Sequence, residues 1–327
     1  MKFSLTSLKK PYVSNFFAIL YVLVITVIIV SFLITRKEAL FSYFTRVHLS
    51  YLFPVVVLGL FSLTLAALHW MYIQNKFEKP ERGRASIFSW FKIFLYGYIG
   101  RYIPGKLSMI FGRLFFLQKM GVSKKSVILS SLYENLIALV SAVIIGSFFF
   151  ILYTGFSPDK FFVQLGIYSF LLILFFVFIS TSLFQKVAHF FLKLMKKENI
   201  FIDFLPLKYS VVSFSIYSCA AIFSGLAFYF FIVSLFPDYM SVQNIYLSIG
   251  AISLASVSGA LAFVVPAGLG VREGVLVWFL QGVLPLEVAV FVSVAYRVFF
   301  MLLEVLFFTV ICGLDATFSS KNKIQQS

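Results

Sequence analysis

Eight charged side chains fall deep inside apolar sequence: Arg101, Lys106, Arg113, Glu134, Arg272, Glu273, Arg297 and Glu304. In hydrocarbon each costs roughly 2.5–3.5 kcal/mol on insertion scales, so each must pair, face a bundle interior or line a wet cavity. Most of them flank two helix breaks. The first is Gly100-Arg101-Tyr102-Ile103-Pro104-Gly105-Lys106, with Arg113 shortly after; the second is Pro266-Ala267-Gly268-Leu269-Gly270-Val271-Arg272-Glu273. Proline suits the first turn of a helix, where its missing N–H costs nothing. A half-helix that starts at Pro104 or Pro266 aims its dipole and free N–H groups at the membrane interior, an arrangement that attracts anions such as a lipid phosphate. The candidate headgroup-binding set is therefore Arg101, Pro104, Gly105, Lys106 and Arg113 at the first break, and Pro266, Gly268, Gly270, Arg272 and Glu273 at the second. The plain alternative is that the arginines snorkel to headgroups and each proline-glycine stretch is only a turn.

Glu134 and Arg297 form a second candidate constellation. Glu134 follows Pro104 by about 30 residues, and Arg297 follows Pro266 by about 31. In a two-fold arrangement these positions are equivalent, and opposite charges there are expected to meet and couple the halves. The alternative gives each its own partner, for instance Arg113 for Glu134 and Glu304 for Arg297.

Enzyme chemistry finds little support. The sequence has no GxSxG, HExxH, Walker or dinucleotide-binding signature. Cys219 and Cys312 stand far apart in apolar runs, and His48, His69 and His189 form no ligand pattern, so neither a metal nor a cofactor is expected. A membrane-embedded transferase using Glu134 or Glu273 as base is a minor alternative.

The elements that must position these residues are transmembrane helices. The 327 residues are 61% hydrophobic and 12% charged, with mean hydropathy +1.00. Six apolar runs, 13–34, 51–73, 127–153, 161–184, 209–235 and 287–313, are long enough to span. Met1–Thr35 reads as an uncleaved first span, not a signal peptide. Two further regions, 87–117 and 244–286, are broken by Pro and Gly and read as re-entrant, although the 22 residues of Asn244–Val265 could span by themselves. The order span, span, broken region, span occurs twice, so an all-α bundle of two inverted halves, about 1–160 and 161–318, is expected in one domain, with a polar tail from Ser319. Small residues in 244–265 suggest close helix packing, and 185–208, where lysines lie among aromatics, reads as interfacial.

The net charge of +15 is read as membrane topology, not nucleic-acid binding. With the N-terminus inside, 21 Lys and Arg fall on inner segments and 5 on outer ones, with Arg297 inside a span. This favours a cytoplasmic N-terminus and C-terminus.

GRYIPGK with Gly112-Arg113, VPAGLGVREG over Val265–Gly274, and Ala295-Tyr296-Arg297 resemble the flippase-like transmembrane family. That family includes the membrane part of lysylphosphatidylglycerol synthase, also called multiple peptide resistance factor. The resemblance covers about 13–313 and implies movement of a lipid between leaflets, or a role beside envelope glycan synthesis. The chain stops about 14 residues after the last span, so the soluble aminoacyl-transfer domain of the synthases is not expected to accompany it. The expected function is a flippase for an anionic or zwitterionic lipid or a lipid-linked sugar, with membrane lipids as partners. The rival is a non-transporting scaffold for envelope-synthesis enzymes.

Overall fold

The computed structural model describes residues 47–80, 86–100, 108–155, 205–262, 265 and 268–324. These fold into α1 (Leu49–Phe77), α2 (Ile87–Gly100), α3 (Ser108–Gln118), α4 (Lys124–Thr154), α5 (Leu207–Leu235), α6 (Asn244–Leu261), α7 (Val271–Leu280) and α8 (Leu286–Ile324), with a 3-10 turn at Pro237–Tyr239. No strand occurs among the described residues. Helices are what this composition dictates, because in lipid only a helix satisfies every backbone polar group within its own segment.

Five helices, α1, α4, α5, α6 and α8, are long and apolar enough to cross a membrane. Four of them coincide with expected spans; the expected spans 13–34 and 161–184 lie outside the described residues. The broken region 87–117 is two short helices, α2 and α3. The broken region 244–286 departs from expectation. Its first part, α6, has 18 residues, about 27 Å of helix, which nearly matches the bilayer core. It is also the most enclosed of the five: 61% of its apolar window is buried, against 22–44% for the others.

α1 and α5 run antiparallel. His48 N–H donates to the Ser234 carbonyl and the Ser62 hydroxyl to the Ala220 carbonyl. Ring contacts continue the register through Phe61–Phe223, His69–Tyr217 and Tyr72–Tyr209. α6 lies against α4 and α5 at backbone distance, which only glycine permits: a methyl on Gly225 would sit 2.4 Å from Ile249 Cα, and one on Gly146 2.8 Å from Leu254. α2 rests on α1 and α8 through side chains instead. Trp90 meets Trp70 edge-on, and Asp315 of α8 accepts from Ser86, Ser89 and Lys92. The other packed pairs are α1–α4, α2–α3, α3–α4, α4–α5, α6–α7, α7–α8, α1–α8 and α5–α8.

Two loops fix where helices begin. Ser123 caps α4 by accepting from Ser126 N–H, and is itself held by the Glu78 carboxylate beyond α1. Before α7 the chain turns through Gly268 (φ 65°) and Gly270 (φ 80°), in the left-handed region that glycine occupies without strain.

Candidate functional site

Each break is followed by a short helix, and each short helix is clasped to the long helix after it by a buried ion pair. In the first, Arg113 of α3 forks onto Glu134 of α4: Nη1 donates to Oε2 and Nη2 to Oε1 at 3.1 Å, while Nη1 also reaches the Ser131 hydroxyl at 3.3 Å. The guanidinium lies 4.5 Å from the Trp70 ring centroid and 5.5 Å from that of Phe94. Arg113 is fully buried. Such a site keeps a cation in low dielectric only because a bidentate carboxylate and aromatic faces replace its water. Gly97 makes room for it, since a methyl there would fall 2.9 Å from Arg113 Nε.

In the second clasp, Arg297 of α8 donates from Nη1 to Oε1 of Glu273 on α7. The other carboxylate oxygen accepts from Gly270 N–H at 2.6 Å, so Glu273 also caps its own helix. The break is pressed onto α6: a methyl on Gly268 would lie 2.4 Å from Gly259 Cα.

These contacts correct the expected pairing. Glu134 and Arg297 do not meet; each is used by the short helix of its own half, Glu134 by Arg113 and Arg297 by Glu273. Arg113 is thereby taken out of the set that could hold a headgroup, because its charge is spent on Glu134 in a buried site. The expected free helix end at the second break is also occupied: the Gly270 N–H faces the chain's own carboxylate and not an external anion. Arg272 stands apart. It is half-buried, and no hydrogen bond or ion pair joins it to another described residue. Arg101, Pro104, Gly105, Lys106 and Pro266 lie outside the described residues. No cluster of His, Cys, Asp or Glu that could hold a metal occurs among the described residues.

The clasps bring in residues that sequence reasoning passed over: Trp70, Phe94, Gly97 and Ser131 at the first, Gly259 at the second. A signal for some of them was present. The interval of about 162 residues that separates Pro104 from Pro266 also separates Gly97 from Gly259 and Phe61 from Phe223, and at about 163 it carries Ser130-x-x-Tyr133-Glu134 onto Ser293-x-x-Tyr296-Arg297. Both glycines let a segment beyond the break touch the helix before it, and Phe61 and Phe223 touch each other, with ring centroids 4.7 Å apart.

Comparison with known families gives one match: the lysylphosphatidylglycerol synthase TM region, over residues 18–307. No curated protein sequence matches the chain.

Proposed function

The chain belongs to the family of the membrane region of lysylphosphatidylglycerol synthase, and on that premise we propose that it carries a phosphate-bearing lipid between leaflets through two inverted halves. The observation that carries this reading is a symmetry of packing. Exchanging α1 with α5, α2 with α6, α3 with α7 and α4 with α8 turns α1–α2 into α5–α6, α1–α4 into α5–α8, and α2–α3 into α6–α7. It likewise turns α3–α4 into α7–α8, α4–α5 into α8–α1, and α4–α6 into α8–α2, while α1–α5 maps onto itself. Every substantial helix contact among the described residues has its counterpart. Because the exchanged helices α1 and α5 run antiparallel, halves so related are inverted. Broken helices at matching places of inverted halves are the usual site of a transported substrate.

In this reading the clasps are structural and polarity-reversed: each fixes the post-break helix so that the break faces the path between the halves. Arg272 takes the headgroup phosphate at the second break, and Arg101 and Lys106 serve the first. The uneven distribution of Lys and Arg along the sequence supports cytoplasmic termini. The substrate is an anionic or zwitterionic lipid or a lipid-linked sugar, moved without chemical change.

The test is reconstitution in vesicles with a panel of fluorescent lipids and a quencher of the outer leaflet. Wild-type protein is expected to expose at least one of them faster than protein-free vesicles do, and Arg272→Gln to slow that exposure with the fold intact. Wild-type protein that accelerates no lipid of the panel sinks the proposal.

A further inference from the structure

A second concentration of unspent positive charge lies where the end of α1 meets the start of α5. Lys76 Nζ stands 4.4 Å from the centroid of the Tyr209 ring and 5.3 Å from that of Tyr72, and Lys208 Nζ stands 4.9 Å from the same Tyr209 ring. Two ammonium groups thus share one aromatic ring and lie within about 9 Å of each other. Neither makes an ion pair with a described residue. The nearby carboxylate of Glu78 is turned to Ser123, which gives it both N–H and O–H.

The local helix end adds to the imbalance. α5 starts at Pro206 with no side-chain cap and no acidic residue in its first turn. Lys208 sits in that turn, where a helix dipole disfavours a cation. Ser210, in the same turn, keeps a buried hydroxyl with no partner. Among the described residues, two cations and an uncapped amide end gather here with no carboxylate turned to them, an arrangement suited to an anion. Tyr72 and Tyr209, whose rings stand 6.3 Å apart, edge to face, give it an amphipathic floor, the kind of surface that sits at headgroup level.

We propose that Lys76, Lys208 and the first turn of α5 bind the phosphate of an anionic phospholipid at the membrane surface, with Tyr72 and Tyr209 packed against its glycerol region. The phosphate belongs to a lipid because the site stands at the ends of two helices built to cross the bilayer. This surface site is separate from the breaks and does not depend on the lipid-moving reading.

The experiment uses the full chain in phosphatidylcholine vesicles that contain a minority of photoactivatable phosphatidic acid, followed by peptide mapping. Labelling is expected on the peptides that carry Tyr72, Lys76, Lys208 and Tyr209. A lysine near a membrane surface is worth about fivefold in affinity, so Lys76→Gln or Lys208→Gln alone cuts labelling about fivefold and the pair about thirtyfold. Lys76→Arg with Lys208→Arg retains the label, which guards against a double glutamine variant that fails to fold. Unchanged labelling in a folded double glutamine variant overturns the proposal, as does equal labelling by photoactivatable phosphatidylcholine. Displacement by inorganic phosphate at constant ionic strength overturns the lipid assignment and leaves a site for free phosphate.

Discussion

The pairing of Arg113 with Glu134 can be tested by removing it in two ways. Glu134→Gln leaves a guanidinium of zero exposure without a counter-charge, and stripping one partner from a buried pair costs about 3–5 kcal/mol. Arg113→Met strands the carboxylate and also loses the contact with Trp70 and Phe94, an interaction of about 0.5–2 kcal/mol. The double variant Arg113→Met with Glu134→Leu leaves no buried charge. Apolar replacement of a whole pair is often close to neutral, so its cost falls to about the lost ring contact. It should therefore be more stable than either single variant by at least about 1 kcal/mol. Denaturant unfolding in mixed micelles, followed by tryptophan fluorescence, measures all three, with Trp70 as a reporter beneath the guanidinium. A parallel cycle of Glu134→Gln and Arg297→Gln should be additive within about 0.5 kcal/mol, because the two residues share no partner. A double variant as unstable as the sum of its singles would refute the observed pairing, and strong coupling in the second cycle would reinstate the pairing of Glu134 with Arg297.

The remaining predictions use the same measurement or simpler ones. Gly225→Ala forces a methyl to within 2.4 Å of Ile249 Cα and should cost about 1–3 kcal/mol. Gly274→Ala meets nothing within 4 Å and should be neutral, or stabilising by up to about 1 kcal/mol, which makes it the internal control. Arg272→Gln should leave unfolding nearly unchanged, since that side chain makes no hydrogen bond or ion pair with a described residue, whereas Arg297→Gln strands Glu273 and should destabilise by about 3–5 kcal/mol. Cysteines at positions 7 and 320 should label only after permeabilisation and one at position 157 from outside; labelling of position 320 in intact cells would contradict the proposed topology.

Much of the architecture was legible because the bilayer leaves few options. A run of about 20 apolar residues must be a helix, and α1, α4, α5 and α8 lie where such runs stand. The status of 244–265 was harder to read. Proline and glycine near its end suggest a loop that turns back, while its small residues serve close packing: a methyl on Gly250 would lie 3.1 Å from the Gly146 carbonyl oxygen and 3.2 Å from Phe150 N. Composition reports that a helix is closely packed, but it does not report whether the helix also crosses. The clasps were half-legible. Arg113 and Glu134 were marked as costly charges, and their contact was one of two alternatives. Trp70 and Phe94 were invisible, because an aromatic residue under a guanidinium looks the same in sequence as an aromatic residue in any apolar helix.

The error in pairing Glu134 with Arg297 has a physical cause that applies beyond this chain. Opposite charges at equivalent positions of two halves invite the inference that they meet, since a two-fold axis brings equivalent positions together. Only residues near such an axis would do so, and under the proposed two-fold relation Phe61 and Phe223, with ring centroids 4.7 Å apart, are such a pair. A charge away from the axis answers to its own surroundings. Arg113 on α3 requires an anion at 134, and Glu273 on α7 requires a cation at 297. A buried clasp needs opposite charges across its contact and is indifferent to which helix bears which. Two halves can therefore carry the same clasp with reversed polarity, and the reversal places Glu134 and Arg297 at matching positions without any interaction between them. In sequence, the informative comparison is thus within each half: a charge shortly after a break and its opposite about 21 to 24 residues later, at a helical distance that lets a short helix fold back onto the next long one.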